Sequence, residues 1–165
     1  MDDGTARRIA EAFALGMPND GPVAVARGEM GRVWRMDTDQ GRYAVKELFH
    51  ESDETAAQAD VTFQRAALDA GLPMPRPITR PDGEVLLGLE RPDARTVAFR
   101  VYAWVDLAAP SRAPAPGIAA ALLARLHRLD RPAATPMDPW FSAPLGADGW
   151  ASLVDAVRVA APPWL

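Results

Sequence analysis

No cysteine occurs in this chain of 165 residues, which excludes disulfides, thiolate zinc sites and thiol nucleophiles together. Histidine is nearly absent too: His50 and His127 are the only two, too few for a histidine-built metal centre. The scarce serines, Ser52, Ser111, Ser142 and Ser152, fall in caps, linker or late segments without a histidine partner, so a serine nucleophile has no support. No apolar run approaches the length needed to cross a bilayer, and the opening MDDGTARRIAEAFAL carries acids where a secretory leader carries positive charge. A reducing compartment, the cytoplasm, is the expectation. A basic stripe is also missing. With a net charge of -4, and Arg7, Arg8, Arg27, Arg32, Arg35 and Arg42 scattered among acids, the chain has no electrostatic footprint for nucleic acid.

What is present is ordinary globular material, 48% hydrophobic and 24% charged, in a length that suits one domain, or one small lobe and part of a second. Asp2 or Asp3 can cap a short amphipathic helix with Ile9, Ala10 and Phe13 on one side, ending near Gly16; it reads as a lid or flank. From Val23 the pattern changes to five β-prone runs, VAVA, RVWRM, RYAVKEL, EVLLGL and TVAFRVYAWV, separated by the turn signals DTDQG, PDG and RPDAR. Between the third and fourth runs lies one helix. Ser52 opens it, Asp53 and Glu54 occupy its first turn, Gly71 closes it, and Val61, Phe63, Ala66 and Ala67 form its apolar face. The prolines of PMPRPI hold the next segment extended.

After Val105 the Ala- and Pro-rich DLAAPSRAPAPG is the expected linker. Beyond it, Ile118, Leu122, Leu126 and Leu129 recur at helical spacing through GIAAALLARLHRLD, and a later helix covers WASLVDAVRVA. The expected division is an N-terminal helix over 1–20, a strand-rich lobe over 21–106, a linker over 107–117 and helices over 118–165.

Two features point to chemistry. Gly28-Glu29-Met30-Gly31 sits between two strands, where glycines let backbone amides approach phosphate oxygens; an ordinary hairpin turn is the alternative. Lys46 lies inside the third strand, where lysine is disfavoured unless its ammonium meets solvent or a ligand. Ala44 and Leu48 share its face by alternation. An apolar cleft with one cation at its centre suits a diphosphate, and a snorkelling surface lysine is the competing reading.

The ordered series of glycine loop, VWR, YAVKEL, an acid-capped helix ending AGLPMPRPI, and RVYAWVD resembles the N-terminal lobe of the aminoglycoside phosphotransferase family, over about residues 20–130. The resemblance implies an α+β, protein-kinase-like N-lobe, a five-stranded antiparallel sheet plus one helix, followed by an incomplete helical C-lobe that LARLHRLD opens. It implies ATP as the ligand, with Gly28, Met30 and Gly31 over the phosphates and Lys46 on the α- and β-phosphates. Asp60, with Thr62 as the competing alignment, falls where the family places a helix glutamate against the lysine; a solvated charge is the other reading of Asp60. Ala103 and Val105 would supply the hinge for the adenine edge, with Trp104 read as core.

A kinase-like transfer also needs a catalytic aspartate, an asparagine a few residues later and a second aspartate for magnesium. The only asparagine is Asn19, before the glycine loop. His127-Arg128-Leu129-Asp130 mimics a catalytic loop but is read as helix, and Asp37-Thr38-Asp39 mimics a metal pair but is read as a turn whose aspartates bond their own backbone. No catalytic or metal residue is therefore assigned, and magnesium is expected only in a complete enzyme. The expectation is the ATP-binding portion of a phosphotransferase acting on a small-molecule hydroxyl, inactive alone. The alternative is a non-catalytic module that binds nucleotide, or pairs through its apolar helices with a complementary C-lobe or a second copy.

Overall fold

The computed structural model describes residues 1–50, 53–91, 95–107, 116–131 and 145–160. In chain order its elements are α1 (Asp3–Ala12), β1 (Val23–Arg27), β2 (Gly31–Thr38), β3 (Gly41–Leu48), α2 (Glu54–Asp69), β4 (Pro77–Ile78), β5 (Leu87–Glu90), β6 (Thr96–Ala103), α3 (Pro116–His127) and α4 (Gly146–Ala160). Two compact units result, Met1–Pro132 and Ala133–Leu165. The sheet and the first three helices belong to the first, and α4 to the second.

Hairpin signals in the sequence become an antiparallel sheet of six strands in the order β1-β2-β3-β6-β4, with β5 also paired to β6. Five strands were expected. The sixth, β4, is the two-residue pair Pro77–Ile78 against Tyr102 and Val101. Proline has no N–H to give a ladder, so so short an edge strand leaves no run to read. The fourth expected run also begins late, at Leu87 rather than Glu84, because the amides of Val85 and Leu86 donate to the Glu54 carboxylate at 2.8 and 3.1 Å instead of to a neighbouring strand.

Strand alternation sends Trp34, Met36, Val45, Phe99 and Val101 to one face, where they bury together with Ala6, Ile9, Ala10 and Phe13 of the α1 region. Asp2 caps α1 by accepting from the Thr5 amide at 2.7 Å, and that bond holds its carboxyl below the usual carboxylate range. This helix is not the expected flank. Ile9 is fully buried, so α1 is a wall of the main core. The following segment is tied to the β2–β3 turn: Thr38 Oγ1 donates to the Leu15 carbonyl at 2.6 Å, and Asp39 accepts from the Met17 amide at 2.9 Å. Asp39 thus holds a distant amide rather than its own backbone, while Asp37 pairs with Arg35 and Arg42 at 3.4 and 3.3 Å.

Helix α2 packs through Ala57 and Val61 on Val85 and Leu86, with Leu48 alongside. Its cap is Asp53, which accepts from the Ala56 amide at 3.0 Å; the expected cap, Ser52, lies outside the described residues. Phe63, expected on the apolar face, is exposed, because the residues that α2 buries are Ala57, Val61 and Ala67. At its other end Gly71 takes φ +76°, and the Arg125 guanidinium of α3 donates to the carbonyls of Ala70 and Gly71, both at 2.9 Å. A helix with no basic residue in its last turn therefore borrows one.

Helix α3 stops at His127, and Asp130 has φ +42°, so His127 to Asp130 form a helix end and turn rather than the expected continuous helix. Ile118 is 66% exposed while Leu122, Leu126 and Leu129 are half-buried. In the second unit, Trp150 of α4 is 59% exposed. The linker expected over 107–117 lies mostly outside the described residues.

Candidate functional site

The face of the sheet opposite α1 carries Val33 from β2, Ala44 and Lys46 from β3, and Arg100 and Tyr102 from β6. Register brings them into line: Val33 is opposite Lys46, Lys46 opposite Arg100, and Ala44 opposite Tyr102. Lys46 is half-buried and forms no ion pair or hydrogen bond among the described residues. It is also the only lysine in the sequence, since every other basic residue among the 18 is an arginine. That singularity is a signal the composition already held. A chain otherwise committed to arginine keeps a compact, point-like cation here.

The glycine loop stands next to it. A Cβ placed on Gly31 would stand 3.5 Å from the Lys46 Cε and 2.4 Å from the Glu47 carbonyl oxygen, so only glycine lets β2 approach β3 this closely above the lysine stem. Gly28 donates its amide to the Gly31 carbonyl at 2.9 Å, and the Met30 carbonyl accepts from the Phe49 amide at 3.3 Å. The amides of Glu29 and Met30 have no acceptor among the described residues. A Cβ on Gly28 would meet nothing within 4 Å, and the Met30 side chain is exposed. The loop thus offers uncommitted N–H donors in open space beside one uncommitted ammonium, which is the donor set an oxygen-rich anion takes.

At the far end of the same face, β6 ends at Ala103, whose amide donates to the Arg76 carbonyl at 2.8 Å. The next amide, of Trp104, donates to the Arg42 carbonyl at 3.1 Å. The Val105 amide has no acceptor among the described residues, and its side chain is exposed. Trp104 is half-buried rather than core. Its indole N–H donates to Asp106 at 2.8 Å, and Arg42 reaches the same carboxylate at 3.2 Å, fastening the end of β6 to the start of β3.

Asp60 lies on α2 over this face, but its carboxylate pairs with Arg100 at 3.1 Å, and no ion pair joins it to Lys46. Arg100 was not singled out in the sequence, although an arginine in the middle of the apolar run TVAFRVYA is a visible anomaly. Glu47, the other residue missed, projects to the opposite face: it is 7% exposed, accepts from the Trp34 indole at 2.9 Å and pairs with Arg91. On that α1 side lies a cavity of about 240 Å³ lined by Met1, Thr5, Arg8, Leu89, Arg91 and Phe99, and neither Lys46 nor the glycine loop borders it. Burial there lowers the affinity of the Met1 amine for its proton, helped by Arg32 and Arg91 and opposed by Glu47 and Asp2.

Among the described residues no group of three or more histidines or acids stands close enough to hold a metal ion. Among them, too, no helix is long and apolar enough to cross a membrane.

The model of the phosphotransferase enzyme family matches residues 23–161 of the chain. No curated protein matches the chain. Among solved structures it is similar to spectinomycin phosphotransferase, APH(9)-Ia, in complex with ADP and spectinomycin, with 13% identity and a TM-score of 0.56 over 94% of this chain and 46% of that one. The chain therefore spans less than half the length of that solved structure, and at this identity the likeness establishes the fold, a kinase-like phosphotransferase N-lobe with its antiparallel sheet.

Proposed function

Since this chain belongs to the phosphotransferase enzyme family, we propose that it is the nucleotide-binding part of a cytoplasmic, ATP-dependent phosphotransferase acting on a small-molecule hydroxyl. The observation that carries the reading is the single lysine: an ammonium without a partner among the described residues, on an apolar strand face, its stem against Gly31, beside amides that lack acceptors among those residues. Lys46 would hold the α- and β-phosphates, the Gly28 to Gly31 loop would cover them, and the Ala103 carbonyl and Val105 amide would meet the adenine edge. The ADP bound in the spectinomycin enzyme supports the choice of ligand. Bound ATP supplies the phosphoryl group; what these residues do is bind, orient and shield it. Transfer itself needs an acid and an asparagine, and a sequence whose one asparagine is Asn19 assigns binding, not transfer, to these residues.

The test is calorimetric titration of the 165-residue chain with ADP. Lys46→Met should weaken binding at least about tenfold, equivalent to 1.4 kcal/mol, with an unchanged melting midpoint. Equal affinity in the variant and the parent would remove the lysine from the site and the reading with it.

A second reading has its own support. Ile118 and Leu123 on α3, and separately Trp150 and Leu153 on α4, are exposed apolar side chains of the kind that another polypeptide covers. On that reading the chain is a non-catalytic module that docks a complementary helical lobe or a second copy. Sedimentation as a clean monomer with low dye-detectable apolar exposure would count against it.

A further inference from the structure

We infer that the slot between α1 and the β5–β6 hairpin is a second ligand site, and that its ligand is a free α-amino acid with an apolar side chain. The slot lies on the α1 side of the sheet, and neither Lys46 nor the glycine loop borders it, so the inference does not rest on the nucleotide reading. Thr5 and Arg8, three residues apart, are neighbours on one side of α1, and Met1 closes the end before the cap. Facing them, Leu89 is opposed to Val97 and Leu87 to Phe99 in the β5–β6 ladder. Alternation therefore turns Leu89, Val97 and Phe99 to one face, where they form an apolar floor. The volume of about 240 Å³ lies below the range of drug-sized sites, about 300–1,000 Å³, and suits a smaller molecule. Packed proteins leave few voids larger than a water molecule, and an apolar floor gives water little to bond.

The charges around this floor select the ligand. Most are already committed. Asp2 accepts from the Thr5 amide at 2.7 Å, Arg91 pairs with Glu47, and the Met1 amine shares the Glu47 and Asp2 charges. Two are left over, one of each sign. Arg8 and Glu90 both border the slot and both are exposed, yet neither forms an ion pair or a side-chain hydrogen bond among the described residues, with each other or with any neighbour. An anion alone would answer Arg8 and be repelled by Glu90; a cation alone would do the reverse. A zwitterion answers both. Its carboxylate takes the planar donors of Arg8, its ammonium takes the Glu90 carboxylate, and its side chain covers Leu89, Val97 and Phe99. That combination of groups is an apolar α-amino acid.

The test is titration of the 165-residue chain, without an N-terminal tag, with L-leucine, followed by amide shifts in heteronuclear NMR spectra. The amides of Thr5, Arg8, Leu89 and Val97 should shift together and saturate within about 10 mM, while those of Gly28 to Gly31 stay in place. Leucinamide, which lacks the carboxylate, and isocaproate, which lacks the ammonium, should each bind at least about fivefold more weakly. Arg8→Met should weaken leucine about fivefold and leave leucinamide unchanged, and Glu90→Gln should weaken leucine about threefold and leave isocaproate unchanged. Val97→Phe should fill the slot from its floor and abolish binding of all three; if that variant does not fold, Val97→Met takes its place. The inference is overturned if leucine gives no saturable shift, if either analogue binds as tightly as leucine, or if Arg8→Met or Glu90→Gln leaves leucine affinity intact. ADP titration reports on the other face of the sheet, so failure there removes the nucleotide reading and leaves this site standing.

Discussion

Lys46 and Glu47 are neighbours in sequence, yet they live in different worlds. Glu47 faces α1, buried, with an indole N–H donating to it and a guanidinium supplying its counter-charge. Lys46 faces the other side, its ammonium uncommitted among the described residues. One strand therefore separates a closed face, where polar groups are satisfied and apolar ones packed, from an open face, where donors are left over. Leftover donors are costly in a folded protein unless water or a ligand completes them. The contrast between the faces is the physical ground for placing the proposed nucleotide on the Lys46 side.

Breaking the closed face should have the largest effect. Trp34 is buried and also holds Glu47, so Trp34→Ala should cost about 3–5 kcal/mol in urea unfolding, a large share of a typical total of about 5–15 kcal/mol. A loss near that of Lys46→Met, which should be negligible, would erase the distinction between the faces. Gly31 is where the faces meet. Its missing Cβ would stand 2.4 Å from the Glu47 carbonyl oxygen, so Gly31→Ala must push β2 away from β3. A loss of about 1–3 kcal/mol, accompanied by weaker ADP binding, would show that the same spacing serves packing and ligand; normal binding at reduced stability would separate the two.

The smallest effect belongs to the cap of α1. Asp2→Ala should cost about 1 kcal/mol by denaturant unfolding. Because the Thr5 amide lowers the folded-state pKa of Asp2 below its ordinary 3.8, the ionised cap stabilises fully above about pH 4 and is lost as pH falls through the lowered value. Asp2→Asn keeps a capping oxygen without the titration, so its stability should fall less steeply in acid than that of the parent. Parallel acid limbs would show that the cap titrates without consequence for the closed face.

Much of this was legible in the sequence. Alternation and turn residues located the three strands around Lys46, and the acid-capped helix with Gly71 at its end was readable from Asp53, Glu54 and spacing alone. What escaped depended on partners far away in the chain. Local sequence makes α1 a flank, because nothing in it says that Ile9 shares a core with Val45 and Val101. The pairing of Asp60 with Arg100 was hidden because 40 residues separate them and only the β3–β6 register sets Arg100 beside Lys46. The strand β4 was hidden by its prolines, and the end of α3 by a leucine stripe that runs past the last helical turn.

Arg125 gives the lobe a tiller. By gripping the carbonyls of Ala70 and Gly71 it ties α3 to the trailing end of α2. A displacement of α3 by one helical turn, about 5.4 Å, would strip both bonds at once. Because one guanidinium holds both carbonyls, Arg125→Ala would hand the two acceptors at the end of α2 to water together.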